Sequence, residues 1–159
     1  NKKDKKFIES LFDYKCKLNL IYRGTRDGKK SKDFHKFCDG KGPTISFIYT
    51  EDGYKFGGFT NLSWEYNSGY KKNDPEAFLF SLNKQKKYEC NSDYVIYCNP
   101  ETSIVFGNGH DICISDNWDE KTYSDFPFSF GNKKSVWLNE MVPRKFKPIE
   151  IEVFTLKKI

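Results

Sequence analysis

The chain has 159 residues, of which 15 Phe, 10 Tyr and 3 Trp make it 18% aromatic, and it carries a single Ala (Ala77). That balance excludes a disordered chain, which lacks the apolar mass to collapse. It excludes a helical bundle too, and no run of 18 apolar residues exists to cross a bilayer as a helix. Net charge is +5 and unevenly placed, with 11 basic and 4 acidic groups in residues 1–32 and five acids against one Lys over Asn108–Asp125.

The periodicity predicts a short amphipathic helix over Lys5–Tyr14, with Phe7, Ile8, Leu11 and Phe12 on one stripe, behind a basic tail of Lys2, Lys3, Lys5 and Lys6. Residues 1–17 thus form an N-terminal appendage that packs on a domain spanning 18–159. Leu18–Tyr22 reads as a strand ended by the turn-rich loop Arg23–Gly28, and Ser31 is a candidate N-cap for a second helix with Phe34, Phe37 and Cys38 inward. From Thr44 strands dominate: Thr44–Thr50 and Lys55–Thr60 joined by the hairpin signal Asp52-Gly53, then Ala77–Leu82, Tyr94–Cys98, Ile104–Phe106, Asp111–Ser115 and Ile149–Leu156. In the last strand Ile149, Ile151 and Val153 alternate against Glu150, Glu152 and Phe154. Asn67–Pro75 reads as a polar connection and Asp116–Phe130 as a long acidic, aromatic loop. Eight short strands with turn signals between them predict a mainly β fold of two antiparallel sheets in a sandwich, with short flanking helices (α+β).

Five cysteines, an odd number without a paired framework or leader, point to a reducing, cytoplasmic setting. The start at Asn1 rather than Met fits one domain of a longer protein. The pairs His35/Cys38 and His110/Cys113 carry zinc-type ligands, but residues three apart on a strand point to opposite faces, so no metal site is expected. Cys38, His110 and Asp111, with His35, can be drawn as a nucleophile–base set, which keeps an enzyme open as the rival reading. Tyr66, Tyr70, Lys71 and Lys72 would suit nucleic acid only if they shared one surface. No cofactor loop is present.

Six blocks resemble the TLDc domain, in particular its protist-type members. They are Leu20–Gly28 (LIYRGTRDG), Asp33–Thr44 (DFHKFCDGKGPT), Tyr54–Thr60 (YKFGGFT), Asp74–Leu82 (DPEAFLFSL), Phe106–Asn117 (FGNGHDI and ISDN) and Ile149–Phe154 (IEIEVF), in family order. Lys29 stands where protist-type members usually carry an aromatic, and Asn108 interrupts what is often an unbroken Gly run. The resemblance implies a two-sheet domain associated with protection against oxidative stress, some of whose members bind the vacuolar proton-pumping ATPase and alter its assembly. No catalytic set is settled for the family, so none carries over. The expected function is therefore a monomeric, non-enzymatic interaction module. A larger multidomain protein using it to recognise partners is the further alternative.

Within the blocks, Gly57 and Gly58 are expected to permit close sheet packing, and Gly107 and Gly109 a turn with positive φ. Arg23, Arg26 and Asp27 suit either an internal ion-pair lock or a partner contact. His110 and Asp111 sit at a strand entry, and Trp118 and Tyr123 on the acidic loop are candidate interface anchors.

Overall fold

The computed structural model describes all of residues 1–159. Ten strands run Cys16–Arg23 (β1), Thr44–Thr50 (β2), Lys55–Thr60 (β3), Gly69–Lys72 (β4), Phe78–Ser81 (β5), Lys86–Glu89 (β6), Tyr94–Cys98 (β7), Thr102–Phe106 (β8), Ile112–Ser115 (β9) and Pro148–Lys158 (β10). Helices cover Lys2–Ser10 (α1), Gly24–Asp27 (α2) and Ser31–Cys38 (α3). A six-stranded sheet in the order β1-β10-β2-β3-β5-β6 faces a four-stranded one, β4-β7-β8-β9, and every strand pairing is antiparallel. The expected two-sheet, mainly β architecture is present.

Successive strand residues point to opposite faces, so a strand with no polar alternation needs cover on both. β2 shows this: every residue but Tyr49 is buried. Ile48 joins the 25-residue core between the sheets, while Ile45 and Phe47 enter a second cluster on the outer face of the large sheet. That outer cluster is roofed by Phe7, Ile8, Leu11 and Phe12, the stripe read from the sequence. α1 begins earlier than expected, because the Asn1 side chain caps it by accepting from the Asp4 N–H at 2.9 Å. Lys2, Lys3, Lys5 and Lys6 are therefore helical rather than a tail.

Three further differences have local causes. β4 lies within the stretch expected as a polar connection, and β6 falls where the polar run Lys86–Glu89 carries no strand signal. Both are sheet edges, where one face meets water and a Lys-rich pattern suits the position. Ser31 stands one residue inside α3, whose N-cap is Lys30. Its hydroxyl instead donates to the Pro100 carbonyl at 2.6 Å. Ile149 points to solvent, 51% exposed, since the register of β10 against β2 shifts between Pro148 and Glu150.

The two sheets are in close contact at β3. A methyl on Gly58 would lie 2.7 Å from the Phe106 ring of β8 and 2.7 Å from Leu79, and one on Gly57 would run into the Ser46 carbonyl of β2. Overpacking at a site with no backbone freedom costs energy, so Gly57→Ala should destabilise by about 2–3 kcal/mol. Thermal unfolding should show a drop of roughly 5–10 °C, and a shift under about 2 °C would contradict this packing.

Candidate functional site

The loop after β1 is locked internally. The Arg23 guanidinium reaches Glu152 of β10 at 2.7 Å, the Arg23 backbone N–H donates to Asp27 at 2.9 Å, and Arg26 makes two 2.9 Å bonds to the Asp27 carboxylate. The Arg26 bonds hold the Asp27 carboxyl below its usual range. Thr25 completes the lock through Glu150. Of the two readings for this trio, the geometry is that of the ion-pair lock.

Two segments singled out separately in the sequence meet here. The 3-10 turn Asp116–Trp118 packs on the loop between β1 and α3. Asp116 accepts from the Ser31 N–H at 2.8 Å, and Lys29 lies 5.2 Å above the Trp118 ring. Trp118 is only 6% exposed and lies where a Gly24 side chain would be. The expected interface anchor is instead a plug between loops, because Gly24 opens a slot the indole fills. Tyr123 is also structural. Its backbone exchanges hydrogen bonds of 2.9 and 3.0 Å with Cys113, extending the small sheet beyond β9.

His110 stands at the half-buried end of that sheet among tyrosines. Its Nε2 meets the Tyr70 hydroxyl at 2.9 Å, its Nδ1 meets the Tyr123 hydroxyl at 2.7 Å, and its ring stacks on Tyr97. Tyr70 Oη also donates to the Asn108 carbonyl at 3.3 Å. Those contacts are satisfied together when Tyr123 donates to Nδ1 and Nε2–H donates to Tyr70, a neutral ring. Burial pushes the His110 pKa below its ordinary value, in keeping with that arrangement.

Asp111, fully buried, points the other way. Its carboxylate accepts from the N–H groups of Phe128 (2.8 Å), Ser129 (3.0 Å) and Phe130 (3.1 Å), holding that segment against β9. Burial drives its pKa up to about 6, against the pull of those donors. Gly107 has the expected positive φ of 89°. Gly109 does not: the positive φ falls on His110, at 59°, while Gly109 is bare because the Phe128 ring covers it.

His35 is spoken for elsewhere. Its Nδ1 lies 2.7 Å from Asp39, and its Nε2 faces the Asn99 and Thr102 carbonyls at 3.0 and 2.9 Å. It thus clamps α3 to the start of β8, whereas His110 lies beyond the far end of that strand. No hydrogen bond joins any two of His35, Cys38, His110 and Asp111, so the nucleophile–base drawing does not assemble. All five cysteines are free. Burial raises every thiol pKa, that of Cys113 to about 11, which disfavours the thiolate a nucleophile or ligand needs. No three His, Cys, Asp or Glu side chains converge as a metal cage. Nor do the tyrosine–lysine candidates share a face. Lys71 turns to the Ser63 carbonyl and Glu65, Tyr66 packs on His35, and only Tyr70 and Lys72 lie together, beside Tyr94.

The sequence matches the TLDc domain family over residues 3–157, almost its whole length and including α1. The chain belongs to the TLDc domain family. Comparison with curated proteins finds none that matches. No helix of this TLDc domain is long and apolar enough to cross a membrane. Sequence reading missed the partners of His110, since Tyr70 and Tyr97 reach it across strands, and it missed an exposed Trp137-Leu138 pair, though the isolated apolar doublet after Lys133-Lys134 was there to see.

Two measurements test the turn. Asp111→Ala leaves three buried N–H groups without an acceptor and should cost about 3–5 kcal/mol in urea unfolding. Asp111→Asn, which keeps an oxygen in place, should cost less than half as much, and equal losses would show that the carboxylate is not the anchor. His110 has the lower pKa in the fold, so below pH 6.5 the unfolded chain takes the proton first and stability is lost as pH falls. Asp111, raised to about 6, acts oppositely: its contribution is complete below about pH 4 and is lost as pH rises through 6. Comparing wild type with His110→Gln isolates the histidine. The variant should gain relative stability from pH 7 to pH 5, and a difference that stays flat with pH would sink the assignment.

Proposed function

We propose that this TLDc domain is a non-enzymatic protein-interaction module serving oxidative-stress protection, with subunits of the vacuolar proton-pumping ATPase as the candidate partner. The observation that carries the reading is the family match across residues 3–157, since binding to that pump is what resemblance to the family implies. The geometry supports it from the other side. Of the residue types that chemistry would use, His35, His110 and Asp111 hold helices, strands and turns in place, and Cys38 lies in the core. In this reading the domain works as a cytoplasmic monomer, brought to the vacuolar or endolysosomal membrane by its partner.

The immobilised domain should retain the soluble sector of the pump from purified subcomplexes, and His110→Gln should retain it equally, within about two-fold, given an unchanged fold. Failure to capture any pump subcomplex, with and without prior peroxide treatment, removes the pump as partner. Loss of stress protection in His110→Gln at undiminished stability and pump binding would favour the enzyme reading instead.

A further inference from the structure

The segment between the 128–130 stretch and β10 carries the largest exposed apolar side chains of the molecule away from the termini. Trp137 is 77% and Leu138 78% exposed, although Val136 before them and Met141 after them are buried in the main core. The turn between is fastened from below. Glu140 receives the Tyr88 hydroxyl at 2.7 Å and Lys86 at 3.0 Å, its N–H donates to the Trp137 carbonyl at 3.1 Å, and the Asn139 N–H donates to the Phe126 carbonyl at 3.1 Å. Trp137 and Leu138 are thus held out by a braced turn with both flanks in the core. Phe128, 52% exposed, borders the same region across a recess of about 510 Å³, with Lys133 5.2 Å above its ring. Neither Lys133 nor Lys134 is paired with a carboxylate.

We propose that this turn is an interfacial anchor for anionic phospholipid bilayers, in which Trp137 and Leu138 enter the headgroup region and Lys133 and Lys134 contact lipid phosphates and carboxylates. Three features favour a bilayer over an acidic protein surface. The apolar groups project singly from a tip, where an indole and an isobutyl group can each leave water without a matching pocket. The charges are lysines, hydrated point charges suited to a diffuse anionic layer, and no arginine that would read a carboxylate bidentately belongs to the turn. Four side chains also cover far less than the ~800 Å² per partner of a stable protein contact. The anchor does not depend on which protein the domain binds. With one aromatic, one aliphatic and two basic contacts it is weak and salt-dependent, the kind of second signal that adds to a partner already on the membrane.

The protein carries its own reporter, since Trp64 is buried completely and Trp118 nearly so, leaving Trp137 as the indole able to change environment. The full chain is mixed with phosphatidylcholine vesicles containing about 30% phosphatidylserine at about 0.1 M salt. Tryptophan emission should shift to the blue, brominated acyl chains should quench it, and the protein should sediment with the vesicles. Pure phosphatidylcholine vesicles should do markedly less. The doubly substituted Trp137→Ala/Leu138→Ala and Lys133→Glu/Lys134→Glu chains, altered only at exposed positions, should keep the native unfolding midpoint and lose roughly ten-fold or more in partitioning. Absence of binding to the anionic vesicles overturns the proposal. So does binding that both variants retain, which would move the contact to the N-terminal lysines. Loss of pump capture by the variants, with no vesicle binding by the wild type, also overturns it and makes the turn a protein contact, whereas failure of pump capture alone leaves the vesicle result standing.

Discussion

Both faces of the large sheet are buried, and at β3 the neighbouring chain closes in on the bare pair Gly57-Gly58. On one side the small sheet's Phe106 closes onto Gly58, and on the other the backbone of β2 leaves no room beside Gly57. The consequence runs outward in both directions. The inner core gathers Phe34, Trp64, Phe106 and Phe130 in edge-to-face contacts of 5.5–5.9 Å, and the outer cluster stacks Phe47, Phe59, Phe78 and Phe80 under α1. A chain rich in Phe and poor in Ala is what a two-faced sheet of this kind requires, because rings fill the wide gaps that a bare glycine strand leaves beside it.

Polar groups inside this frame serve as fasteners at places where no strand ladder can reach. Asp111 gathers three backbone N–H groups of an irregular segment, Asp74 accepts from the Thr60 hydroxyl and the Asn61 N–H, and His35 closes the gap between a helix end and a strand start. Each supplies acceptors or donors that a buried loop would otherwise lack, which is why these side chains are buried and fully bonded. Their commitment accounts for the polar side chains that the core contains at these three places.

How much of this the sequence shows depends on the range of the interaction. The hairpin at Asp52-Gly53 and the glycine pair in β3 are local patterns and stand where the pattern places them, whereas the helix read over Lys5–Tyr14 spans Lys2–Ser10 and leaves Leu11 and Phe12 of its stripe just past its end. β4 and β6 are invisible to pattern because an edge strand is identified by its neighbour, and the neighbours of Lys71 and Lys86 lie far along the chain or in polar company. The same limit applies to the site. His110 and Asp111 are adjacent in sequence, yet one faces Tyr70 and Tyr123 and the other Phe128 to Phe130, partners between 13 and 40 positions away that no spacing rule connects. Trp118 reads as an exposed loop aromatic until Gly24, nearly a hundred residues earlier, provides the slot that buries it.

Charge distribution follows the same division between what the fold consumes and what it leaves over. The basic segment 1–32 and the acidic segment 108–125 stand apart in the sequence, but Ser31 and Lys29 meet Asp116 and Trp118, and Arg23 meets Glu152. These contacts fix how the loops lie, although no ion pair joins a basic group of residues 1–32 to a carboxylate of 108–125. Exposed pairs of this sort add only about 0–1 kcal/mol each to stability, so their effect is to fix how the loops lie against each other. The charges that matter for recognition are those without an internal counterpart. Beside a rigid turn, Lys133 and Lys134 meet that condition where two exposed apolar side chains also stand, and that coincidence of unspent charge and unspent apolar surface distinguishes the turn from the lysines scattered over the rest of the domain.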